Sequence, residues 1–154
     1  MEERNLFNSI VAEVKSDILY KTPISQCPVI RCSKDVYTLM KDGWDQINYR
    51  ERFAVLYLNR GNRVVAKKEI SAGSSSGTVV DVKAILKGAL DCGASSIILM
   101  HNHPSGTLNA SSADINITQK IKDAAKLLDL SVLDHVILTS ENYHSMADEG
   151  DLPL

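Results

Sequence analysis

The apolar run Ser96-Ile97-Ile98-Leu99-Met100 passes without a break into His101-Asn102-His103-Pro104-Ser105-Gly106. A short unalternating run of this kind is the form of a strand buried on both faces, which predicts an α/β fold with the run inside its sheet. His101 then stands at the strand's C-terminal edge, where α/β sheets commonly present their chemistry. Positions i and i+2 of a strand face the same side, so His101 and His103 can aim both rings at one point. A helix is expected to begin near Ser111, because Ile115, Thr118, Ile121, Ala125 and Leu128 share one face with Ile117 and Ala124 beside it. Asp114 falls in that helix's first turn. Two imidazoles and a carboxylate make a three-ligand set for a divalent cation and leave a fourth position open, as a hydrolytic site needs.

The remaining chain supplies the elements such a sheet requires. Residues 10–20 fit a strand by alternation and a helix by the face Phe7, Ile10, Val11, Val14 and Ile18; Thr22-Pro23 breaks either one. Ser33 is placed to cap a short helix carrying Val36, Leu39 and Met40, which Gly43 ends. Arg52–Leu58 and Arg63–Ser71 read as a β-hairpin around Asn59-Arg60-Gly61-Asn62, with the glycine expected to supply the positive φ of the turn. Gly73-Ser74-Ser75-Ser76-Gly77 is a connecting loop without the lysine-threonine end of a phosphate-binding loop. Asp81 caps a helix bearing Val82, Ile85, Leu86, Ala89 and Leu90, which Gly93 stops. Val132–Leu138 is a further strand, Asn142–Met146 a last short one, and Asp148–Asp151 a solvated end.

Composition narrows the function classes. A length of 154 residues suits one compact domain. The net charge of −2 and pI near 6.1 lack the basic footprint of phosphate-backbone binding, so direct nucleic-acid binding is not expected. Cys27, Cys32 and Cys92 form no CxxC pair and read as free thiols of a reducing compartment. Neither a secretory signal nor a run of ~20 apolar residues is seen, which predicts a cytoplasmic protein.

Two nitrogens and one oxygen suit Zn²⁺, although Fe²⁺, Co²⁺ and Ni²⁺ accept the same set. Zinc lowers the pKa of a coordinated water toward ~7, and amide hydrolysis then needs a carboxylate outside the ligand set to carry the proton. Glu69 is the expected carrier, near the end of the second hairpin strand amid Val64, Val65, Ala66 and Ile70. Ser111, three residues before Asp114, can aim its hydroxyl at a developing oxyanion, and it can equally cap the helix. Asn102 reads as a loop-stabilising or turn residue, and Asp134 and His135 as structural groups that could also support the ligands. His144 is expected at the surface and Trp44 beneath the early helix.

Read as His-x-His-x7-Ser-x2-Asp, residues 101–114 resemble the JAMM signature of the MPN metalloprotease superfamily, which a glutamate on an upstream strand completes. The form His-Asn-His-Pro-Ser-Gly, with Ala113-Asp114 and Leu133-Asp134-His135-Val136-Ile137, is similar to the bacterial RadC branch from about Ile30 to Asp151. The resemblance implies a single-domain JAB/MPN fold over residues 30–154, cytidine-deaminase-like, with a mixed sheet flanked by helices. It implies an added strand within residues 1–29. It also implies zinc on His101, His103 and Asp114, Glu69 as general acid/base, Ser111 as transition-state stabiliser, and a protein or peptide substrate cut at a peptide or isopeptide bond. A non-catalytic module associated with DNA repair is the alternative, although the N-terminal helix-hairpin-helix region of longer RadC proteins has no room here. The His-x-Glu and Pro-Cys-x-x-Cys elements of a deaminase are absent, and an HNH nuclease carries its named residues far apart. Val82-Lys83 stands where a Pro-Arg pair is common, and Ala110 and Ser112 replace a frequent Pro and Arg, changes that touch the rim and leave the ligands intact.

Overall fold

A computed structural model describes residues 21–72 and 79–154. The strand expected within residues 10–20 and the whole of the Gly/Ser loop lie outside the described residues. Five strands, β1 (Arg52–Leu58), β2 (Val64–Ala72), β3 (Ser96–Asn102), β4 (Ser131–Leu138) and β5 (Tyr143–Ser145), form one mixed sheet in the order β2-β1-β3-β4-β5. Among these five strands the β3–β4 pair is parallel and the other pairs antiparallel. Among the described residues four α-helices complete the frame: α1 (Ser33–Met40), α2 (Val82–Asp91), α3 (Ser112–Lys126) and α4 (Met146–Glu149). The arrangement is the α/β sheet expected, and α3 makes the crossover that a parallel pair requires.

Strand alternation divides the core in two. Ala54, Leu56, Leu58, Ile98, Met100, Val136 and Leu138 pack on one face with Val36 and Met40 of α1 and with Trp44. Phe53, Val55, Tyr57, Ile97 and Leu99 pack on the other with Ile85 and Ala89 of α2 and Ile121 and Ala125 of α3. Every residue of β3 is buried, which is why its sequence does not alternate. His101 continues the Ile97–Leu99 row and therefore lies on the α2/α3 face, at the strand's end.

Several local expectations are corrected. Cys32, not Ser33, is the N-cap of α1, with Asp35 reaching back to the N–H groups of Arg31 and Cys32. In the hairpin turn the positive φ falls on Asn62 (55°) rather than on Gly61, because Asn59 Oδ1 accepts from both Gly61 and Arg63 N–H and fixes the turn by side chain. Leu39, Leu90, Ile115 and Leu128 are exposed, at the margins of faces that bury only their central rows. Met146 opens α4 rather than closing β5. The acidic end is exposed over residues 148–150 as expected, with two anchoring contacts: Asp148 accepts from Ser33 Oγ, and Asp151 pairs with His144. No helix among the described residues is long and apolar enough to cross a membrane.

Candidate metal centre

The site is made where β3 stops and α3 starts. His103 N–H still donates to Leu138 O (3.0 Å), extending the β3–β4 ladder one step past the strand. The chain then turns through Gly106, whose φ of +83° favours glycine and whose N–H donates to His103 O. Ser111 caps α3 reciprocally: its hydroxyl accepts from Asp114 N–H (3.1 Å) while Ser111 N–H donates to Asp114 Oδ2 (2.8 Å). That box fixes Asp114 with its carboxylate over the histidines. His101 Nε2 lies 3.1 Å from Asp114 Oδ1 and His103 Nε2 3.4 Å from Asp114 Oδ2. The two Nε2 atoms are 2.9 Å apart.

So tight a group of donor atoms needs a positive charge at its centre. Burial works to raise the Asp114 pKa, yet the His101 and His103 imidazoles that face it hold its carboxyl well below the usual range. Asp114 in turn raises the His103 pKa against the effect of burial, aided by Thr107 O. His103 Nδ1 is 2.7 Å from Thr107 O and must donate to that carbonyl, which leaves Nε2 as the atom offered to the cluster. Glu51, His101, His103 and Asp114 each present a ligand atom, all within 4.8 Å of one another. Nitrogen and oxygen donors in this arrangement fit a divalent transition metal.

Glu69, expected as the proton carrier, is not in this group. Its register partner is Ala54, so it stands on the α1 face of the sheet, opposite to His101. There both carboxylate oxygens accept from Arg52 Nη1, at 2.9 and 3.0 Å, and Arg52 also pairs with Asp45. The glutamate on the histidine side is Glu51, with Oε1 4.0 Å from His101 Nε2. It precedes Phe53, the partner of His101 in the β1–β3 ladder, by two residues. Its sequence signal was this placement immediately ahead of an apolar strand. A cleft of about 470 Å³ opens here, lined by Glu51, Phe53, His101, His103, Ser111 and Asp114 among others.

Two buried polar groups support the ligands. His135 is fully buried and takes His101 Nδ1 on its Nε2 at 2.7 Å, while its Nδ1 meets Thr118 Oγ1 at 2.6 Å. Burial drives its pKa well below the ordinary histidine value, so the ring is neutral. Asn102 is fully buried on the other face: its amide donates to Ile47 O and Arg50 O (both 2.8 Å) and accepts from Arg52 N–H (2.7 Å). A histidine within the apolar β4 and a threonine on the apolar stripe of α3 were the readable signs of the first support. Asp134 serves elsewhere, accepting from Ser145 Oγ and from the N–H groups of His135 and Ala147. His144 is not a free surface group, since its Nε2 is 2.7 Å from Asp151.

Residues 30–151 match a family model described as a RadC-like JAB domain. Over 121 residues, 79% of this chain and 52% of the relative, the chain is 47% identical to a UPF0758 protein of Flavobacterium johnsoniae. It is 43% identical to the UPF0758 protein YfjY of Escherichia coli K12 over 101 residues, 66% of this chain and 63% of that one. A UPF0758 protein of Methanosarcina mazei is 38% identical over 121 residues. The chain spans about half the length of most of these curated relatives.

Proposed function

The chain belongs to the RadC-like JAB domain family, and from that premise and the cleft we propose that it is a zinc-dependent hydrolase of peptide or isopeptide bonds. The JAB fold and the Glu/His/His/Asp group fit a metallohydrolase of the JAMM type. The observation that carries the finer reading is Glu51. It stands beside the three-ligand set yet farther out, at 4.0 Å from His101 Nε2, within a cleft open to a substrate.

His101, His103 and Asp114 would hold the ion, which when bound supplies Lewis acidity for activating water and polarising a carbonyl. Glu51 takes the proton of the attacking water and delivers it to the departing amine nitrogen, the role first expected of Glu69. The Ser111 hydroxyl already accepts from Asp114 N–H, so its own proton is left to point into the cleft toward the oxygen that gains negative charge. The substrate is a protein or peptide, the net charge of −2 disfavours direct nucleic-acid contact, and the three free cysteines suit a reducing cytoplasm.

Protein purified from zinc-replete medium should carry about one metal equivalent, counted by atomic emission, given a single three-ligand set. Glu51→Gln should retain the metal and lose at least about 10²-fold in turnover on a peptide and isopeptide library, as removal of a general acid/base does. Glu69→Gln should alter neither. A metal-free wild type, or an undiminished Glu51→Gln, would overturn the reading, and metal without turnover in the wild type would favour a non-catalytic module.

A further inference from the structure

We propose that Thr118 and His135 are positioning residues that set the tautomer of His101, holding its proton on Nδ1 so that Nε2 stays bare for a cation. The inference rests on the metal-binding reading above and concerns a part of the molecule that touches neither substrate nor ion.

Thr118 Oγ1 lies 2.6 Å from Asp114 O, one helical turn back in α3. A carbonyl has no proton to give, so the threonine hydroxyl donates its single proton there. The same oxygen lies 2.6 Å from His135 Nδ1, and with its proton committed it can only accept, which places a proton on His135 Nδ1. The His135 ring is fully buried with Thr118 Oγ1 and His101 Nδ1 as the partners of its two nitrogens, so with its proton on Nδ1 the Nε2 lone pair accepts from His101 Nδ1 at 2.7 Å. His101 is left with a bare Nε2, the atom 3.1 Å from Asp114 Oδ1. Reversing the direction at any link would put a proton on the His101 nitrogen that faces the site. Phe53 encloses the chain of contacts, stacked on His101 and edge-on to His135. Met146 Sδ also lies near Thr118 Oγ1, but at 3.8 Å a thioether is a far weaker acceptor than the Asp114 carbonyl at 2.6 Å.

The backbone carbonyl that orients this relay belongs to Asp114, itself a member of the donor set. The helix that delivers the carboxylate thus also fixes the protonation of the histidine on β3, and the two halves of the site are matched through α3.

The test uses the full chain and Zn²⁺, with affinity read by competition against a chromophoric chelator at neutral pH. Thr118→Val keeps the shape but removes the acceptor for His135 Nδ1–H. It should weaken Zn²⁺ binding about 10–100-fold, the usual cost of losing a group that supports a metal-binding histidine. Thr118→Ser should restore near wild-type affinity. In long-range ¹H–¹⁵N spectra of metal-free wild type, His135 and His101 should each carry a proton on Nδ1. Wild-type affinity in Thr118→Val, failure of serine to restore it, or a proton on His135 Nε2 would overturn the inference. If Thr118→Val does not fold, the wild-type spectra decide. If wild type binds no Zn²⁺, the metal reading falls, while the same spectra still judge the tautomer.

Discussion

Asn102 shows how much one side chain between two ligands can govern. Its neighbours His101 and His103 turn to the site, so pleating sends Asn102 to the opposite face, where its amide grips residues 47, 50 and 52. Those bonds bracket Glu51 on both sides, and the ligand strand thereby holds the segment that carries the proposed proton carrier. Asn102→Ala should cost roughly 1–3 kcal/mol in urea unfolding, since it removes a fully buried amide and leaves three part-buried backbone groups without their partner. It should also lower turnover more than Zn²⁺ affinity, because the ligands remain in place; equal losses in both would contradict this role. The convergence of His101, His103 and Asp114 was legible because they lie close together in sequence and their spacing suits a strand followed by a helix. Glu51 was not, for a physical reason. A register shift between Phe53 and Ala54 breaks the alternation along β2, so Glu69 cannot be assigned to a face by counting from its neighbours. Both glutamates sit at the same end of the hairpin, and only pairing with β3 tells them apart.

At the scale of elements, the fit of α2 onto the sheet depends on Gly88. Tyr57 is buried beneath this helix and its hydroxyl donates to Ile85 O at 2.9 Å. A Cβ on residue 88 would overlap Tyr57 Oη and stand 2.7 Å from Cζ. Gly88→Ala gains about 1 kcal/mol in helix propensity. Overpacking of a filled interior costs about 1–3 kcal/mol, and here the clash involves an anchored ring, so the net effect should be destabilising in thermal or urea melts. A neutral or stabilised variant would mean that α2 shifts freely over β1. Helices and strands were readable from caps and apolar spacing: Asp81 does cap α2 and Ser111 does cap α3. Their burial limits were less so, because Leu90 and Leu128 satisfy the period yet sit beyond the rows that the sheet covers. The faces are set by neighbours distant in sequence, which periodicity does not contain.

For the molecule as a whole, the question is whether the fold needs the ion. Two apolar clusters fill the two faces of the sheet, and the apolar lining of the cleft, Phe53 with Val80 and Ile117 packed against its cluster, is the edge of one of them. The donors lie at the end of β3 and the start of α3, joined to the frame by the β3–β4 ladder, the Ser111 capping box and the His135–Thr118 contacts, all made by the protein alone. A structural zinc module behaves differently, because its ligand set replaces a core and chelation unfolds it. Here, treatment with a chelator should leave the far-UV circular dichroism spectrum and a cooperative melt intact. The stability lost should follow binding linkage, about 2.7 kcal/mol when free Zn²⁺ had stood at 100 times its dissociation constant. Restoring Zn²⁺ should return the melting temperature in step with concentration. Collapse of the melt on chelation would instead make the ion a structural one, and the open position for water would lose its meaning. A folded chelated state that regains stability with Zn²⁺ is the behaviour of a reaction site built onto a finished core.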